Sequence, residues 1–232
     1  MNLTLFIQSG VNEVVTGAAA PGTAEAEINL FDLALKGGWI MIPIGLLLFI
    51  SLVVLTERIF VISKAGRKDD TFMNRIRDYI HEGKIDSAVN LCRMAKTPNA
   101  RMIEKGISRL GRSTNDIQVA IENAGNLEIA KLEKGFPWVA TTAAVAPMLG
   151  FLGTVTGMVR AFFNMANAGS GVNVALLSSG IYEALVTTVA GLIVGIIALL
   201  SYNYLVARVN EVVNAMESRS MEFMDLLNEP SK

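Results

Sequence analysis

Three stretches without a charged side chain constrain this chain more than anything else in it. Between Lys36 and Glu57 lie 20 uncharged residues, "GGWIMIPIGLLLFISLVVLT". Between Lys134 and Arg160 lie 25, "GFPWVATTAAVAPMLGFLGTVTGMV", and between Glu183 and Arg208 lie 24, "ALVTTVAGLIVGIIALLSYNYLVA". About 20 apolar residues at 1.5 Å each cross about 30 Å of hydrocarbon. The expectation is therefore an all-α membrane protein with three transmembrane helices. A 52% hydrophobic composition and a mean hydropathy of +0.44 agree with that reading.

Basic residues set the expected orientation. Arg58, Lys64, Arg67, Lys68, Arg75 and Arg77 follow the first stretch, while only Lys36 closely precedes it. Such residues stay on the cytoplasmic side. The expected layout is a periplasmic tail (residues 1–36), span one (37–63), a cytoplasmic insertion (64–134), span two (135–165), a short uncharged outer loop (166–175), span three (176–207) and a cytoplasmic C-terminal helix (208–232). "TGAAA" in the tail resembles a cleavage site, but without a basic n-region the tail is read as uncleaved. Glu57 and Arg58 are expected to anchor span one by snorkelling to water.

The insertion reads as short helices. "DTFMNRIRDYIHEG" places Phe72, Met73, Ile76, Tyr79 and Ile80 at helical spacing and stops at Gly83. A second helix follows in "KIDSAVNLCRMAKTP", punctuated by Pro98. A third, "NARMIEKGISRLG", aligns Ile103, Ile107 and Leu110. The fourth opens on Ser113 and Thr114, good N-cap types. Its apolar face is read as Ile117, Ala120, Ile121, Ala124 and Leu127, and it is expected to run straight into span two, with Pro137 as a kink. Span three is also expected to overrun, because Leu205, Val209, Val212, Met216, Phe223 and Leu227 continue a helical stripe beyond the membrane. Spans two and three thus extend into a cytoplasmic helical bundle.

Composition excludes several functions. A net charge of −1 gives no reason to expect a nucleic-acid partner. One cysteine, Cys92, and one histidine, His81, can make neither an internal disulfide nor a Cys/His zinc site, so no metal is expected. Cys92 reads as a small core residue. Phosphate loop and nucleophile elbow are both missing, so no enzyme is expected.

The polar residues inside the spans carry the chemistry. Glu183 falls roughly 12 Å into its helix, and ionisable groups in spans usually face a bundle interior, an ion path or a partner. A packing role is the plainer alternative. If spans two and three form a hairpin, Arg160 is level with residue 181. An ion pair with Glu183 and snorkelling to the interface are both open to it. Gly150, Gly153 and Gly157 on span two, and Gly191 and Gly195 on span three, allow close helix packing. Thr154 shares a face with Pro147 and is open either to a polar path or to bonding its own backbone. Thr187, four residues from Glu183, shares its face; Thr188 turns toward a neighbouring one. Three spans enclose too little space for an aqueous path, so an oligomer with inward polar faces is expected.

"APMLGFLGTVTGMVRAF" (146–162), "GIYEALVTTVAGLIVGIIALLSYNYL" (180–205) and "TERIF" (56–60) resemble the signatures of the ExbB/TolQ/MotA proton-channel family, closest to ExbB and TolQ. The resemblance implies a homopentamer around a dimer of a single-span ExbD/TolR-like partner, in the bacterial inner membrane. A partner aspartate would take the proton, and the work would pass to a TonB-like or TolA-like protein. No cofactor is implied beyond the proton gradient. By position, Glu183 looks like the family's span-three glutamate, Thr154 and Thr188 like its pore-lining hydroxyls, with Thr187 second, and Pro147 like its span-two proline. A self-contained transporter would show more spans and internal repeats, and a passive scaffold would have no use for Glu183 beside hydroxyls.

Overall fold

The computed structural model describes residues 37–66, 71–167 and 174–228. The tail 1–36, residues 67–70 and most of the loop 166–175 lie outside the described residues. Seven helices occupy the rest: α1 (Met41–Ala65), α2 (Phe72–His81), α3 (Ile85–Ala95), α4 (Pro98–Ile107), α5 (Thr114–Leu132), α6 (Phe136–Asn167) and α7 (Val174–Asn228). Three of them, α1, α6 and α7, are long and apolar enough to cross a membrane. Their outer surfaces are apolar as well: Ile42, Phe49, Met148, Phe151 and Leu200 are all exposed. Such a surface suits a lipid solvent rather than water.

The ends of the short helices follow local chemistry. At Gly83, φ is +71. Lys84 N–H bonds to the Tyr79 carbonyl and Gly83 N–H to that of Ile80, a Schellman motif that only a left-handed residue closes easily. Thr97 caps α4 with its hydroxyl on the Ala100 N–H at 3.3 Å, and Pro98 starts the helix where a missing N–H costs nothing. Ser113 caps α5 by accepting from the Asp116 N–H at 3.2 Å, as its type suggests.

These helices pack on the distal half of α7. Phe72, Met73, Ile76, Ile103, Ile107, Ile117 and Ile121 form one core with Leu205, Val209, Val212, Met216 and Phe223. The apolar stripe read past span three is thus the spine of this core, and α7 runs 55 residues without a break, about 82 Å. Leu127 departs from expectation. It is exposed, and the buried face of α5 is Ile117, Ile121, Gly125, Glu128 and Leu132. Leu127 lies six residues beyond Ile121, which turns it away from that line.

α5 does not continue into α6. It ends at Leu132, and Gly135 adopts φ +92 before α6 opens at Phe136. A helix cannot propagate through a left-handed residue. Pro137 then sits in the first turn of α6, where it is tolerated, and kinks nothing. Gly135 also lets the chain pass close to α1: a methyl group built there would lie 3.0 Å from Val54 Cγ1.

Arg58 differs too. It is 6% exposed, and instead of snorkelling it donates Nη1–H to the Lys131 carbonyl at 3.0 Å. That carbonyl belongs to the last turn of α5, where carbonyls lack intrahelical partners. A guanidinium there also meets the negative end of the helix. One residue thus ties the end of α1 to the end of α5. Nearby, buried Glu128 accepts hydrogen bonds from Arg101 and Lys131. Burial alone would raise its carboxyl, but the two cations outweigh that and hold it below the ordinary carboxylate range.

Cys92 is fully buried, and burial pushes its thiol up to about 12, with Glu104 adding to the rise. The thiolate is the reactive form. At neutral pH the folded protein should therefore react with an aromatic disulfide reagent at least ~100-fold more slowly than the urea-unfolded chain. Labelling of the folded protein at the unfolded rate would contradict this burial.

Candidate functional site

The antiparallel pair α6·α7 is a seam of small residues. On α6 the buried line is Val139, Thr142, Ala146, Gly150, Gly153, Gly157 and Ala161. Against it α7 sets Gly180, Ala184, Thr187 and Gly191. A methyl group on Gly150 would lie 2.9 Å from the Thr187 carbonyl oxygen, and one on Gly157 would lie 2.9 Å from Ala184 Cβ. On Gly191 it would lie 2.5 Å from the Ala146 carbonyl oxygen and 2.9 Å from Gly150 Cα. Backbone-to-backbone approach of this kind requires glycine and maximises van der Waals contact between helices.

Pro147 fits the same seam. Its ring lies over Gly195, whose added methyl would be 2.6 Å from Pro147 Cγ. A proline frees the carbonyl four residues earlier, here that of Ala143. The same methyl would sit 3.3 Å from this oxygen, so α7 covers the gap in the α6 ladder.

The hydroxyls take separate places. Thr187 is 1% exposed, wedged against Gly153, and donates to the Ala184 carbonyl at 2.8 Å. It fills the seam between the two helices. Thr188 is partly exposed and donates across the helices to the Gly150 carbonyl at 2.9 Å. Thr154 is partly exposed and donates to the Phe151 carbonyl of its own helix at 2.6 Å.

At one end of the seam Arg160 Nη1 stands 3.5 Å from Glu183 Oε1. The Glu183 side chain keeps 31% of its surface exposed in the single chain. Glu183 is nine residues along α7, about 13 Å, and lies beside Gly38, just before α1 begins at Met41.

Gly38, Gly180, Ala161 and Ala184 escaped the sequence reading as site residues. Gly180 and Ala184 do stand four residues apart, as Gly191 and Gly195 do further along α7. For Gly38, the pair "GG" before Trp39 was the only signal. Among the described residues, no group of three His, Cys, Asp or Glu side chains is placed to hold a metal.

The sequence model of the MotA/TolQ/ExbB proton channel family matches residues 94–218, from the end of α3 to the distal part of α7. The chain belongs to the MotA/TolQ/ExbB proton channel family. Among its relatives, the putative biopolymer transport protein ExbB-like 1 of Synechocystis sp. is 32% identical over 77% of this chain and 71% of its own length. The Tol-Pal system protein TolQ of Haemophilus influenzae is 29% identical over 88% of this chain and 95% of its own. The biopolymer transport protein ExbB of Neisseria gonorrhoeae is 37% identical over a shorter stretch, 38% of this chain and 39% of its own. As a family member, the chain is a membrane proton-channel protein of the ExbB/TolQ, energy-transducing type. The matched region contains the whole α6·α7 seam, Glu183 included.

Proposed function

We propose that this chain is an inner-membrane stator subunit that converts proton-motive force into mechanical work for TonB-dependent outer-membrane transport. Five copies would surround a dimer of a single-span ExbD/TolR-like partner, with the insertion and both distal helix halves in the cytoplasm. The partner's aspartate would carry the proton, and Glu183, Thr188 and Thr154 would flank its path. Thr187 serves the seam instead. No cofactor is needed, because the gradient supplies the energy.

The observation that carries this reading is Glu183 opposite Arg160 at the end of a glycine seam. One chain solvates that carboxylate only in part, so a polar environment shared with other subunits is the natural complement. A Tol-Pal role is the second reading, favoured by the match to almost the whole length of the Haemophilus TolQ.

Proton uptake by liposomes holding this chain with its single-span partner tests the proposal. Glu183→Gln keeps the shape and removes the charge, and flux should fall at least ~10-fold with the complex intact, in line with the loss of a charge worth about 1.4 kcal/mol or more beside the path. Unchanged flux would make Glu183 a packing residue.

A further inference from the structure

We propose that Gly38 is a positioning residue for the Glu183 carboxylate: its bare Cα, just before α1, is the surface on which that carboxylate is seated opposite Arg160. The proposal rests on the reading above, in which Glu183 flanks the proton path.

Two independent features require glycine at this place. Gly38 has φ +66, a conformation that other residues adopt at a cost. Separately, a methyl group on Gly38 would overlap Glu183 Oε1 and come within 3.1 Å of its carboxyl carbon. The space that a side chain would fill is the space the carboxylate occupies. Arg160 Nη1 stands 3.5 Å from the same oxygen. Oε1 thus has both a cation from α6 and the backbone that leads into α1 close by.

The surroundings leave α1 little else to offer. Residues 37–56 contain no charged side chain, so that end of α1 brings no second ion to Glu183. The turn runs beside the seam, since a methyl on Gly37 would lie 3.5 Å from Thr187 Cγ2, an ordinary contact distance. A movement of α7 relative to α1 at this level would change the room left for the carboxylate. Gly38 therefore sets where the charge stands, beyond letting the chain turn.

Infrared difference spectra of the full-length chain in lipid bilayers test this. The Glu183 carboxyl band is assigned by its loss in Glu183→Gln. Gly38→Ala should displace the band, whereas Gly45→Ala, in the α1 helix that follows and with nothing within 4 Å of the added methyl, should leave it in place. An unmoved band in folded Gly38→Ala overturns the proposal. If Gly38→Ala folds poorly, a double-mutant cycle decides. The backbone strain of alanine is common to both backgrounds and cancels. The drop in melting temperature caused by Gly38→Ala should then be smaller in a Glu183→Ala background, where the overlap is gone. Equal drops overturn the proposal. Unchanged proton flux in Glu183→Gln, together with a displaced band in Gly38→Ala, would end the pathway reading and uphold the positioning.

Discussion

Gly191→Val should separate α6 from α7 and cost at least ~3 kcal/mol, the upper range for overpacking a tight interior. The added carbon meets the Ala146 carbonyl oxygen at 2.5 Å, Gly150 Cα at 2.9 Å and Gly150 N at 3.1 Å. All three are backbone atoms, so no side chain can swing aside. The helices themselves would have to move apart, and the neighbouring contacts at Gly153 and Gly157 would open with them. Gly45→Val is the control, because nothing lies within 4 Å of that position. Thermal unfolding in detergent micelles would read the difference. Equal melting temperatures for the two variants would mean that the seam does not hold the helices together.

Phe223→Ala should have the second largest effect. Phe223 is fully buried at the centre of the core that α7 shares with α2, α4 and α5. A methyl on Gly106 would lie only 2.8 Å from its Cε1, which shows how closely α4 packs on the ring. Losing the ring removes its transfer energy and leaves a cavity, together about 3–5 kcal/mol. The spans have their own contacts, so the loss should be local. Amide exchange in α4 and α5 should accelerate strongly while α6 stays protected. Phe223→Leu should lose less than ~1.5 kcal/mol, since it keeps most of the apolar volume. Wild-type exchange rates in Phe223→Ala would contradict the packing.

Much of this architecture was legible because the membrane and the helix impose simple periods. Charge-free runs located α1, α6 and α7, and the stripe from Leu205 to Phe223 disclosed that α7 continues past its span. Gly83 and Ser113 announced their helix ends because capping is local chemistry. What failed to show was tertiary. The break at Gly135 depends on a single left-handed residue that a helical pattern tolerates on paper. Arg58 looked like a residue seeking water because its true acceptor, the Lys131 carbonyl, is 73 positions away in the chain. Helical counting grouped Thr187 with Glu183, yet only the neighbouring helix decides that Thr187 is wedged against Gly153 while Thr188 reaches the Gly150 carbonyl.

The unbroken length of α7 has a mechanical consequence. An unjointed rod conveys angle without loss, and a small rotation at one end becomes a long stroke at the other. Over the roughly 68 Å from Glu183 to Asn228, a tilt of about 5° sweeps the far end through roughly 6 Å. Such a stroke exceeds the width of a side chain. Because Met216 and Phe223 are embedded among the shorter helices, those helices travel with the lever.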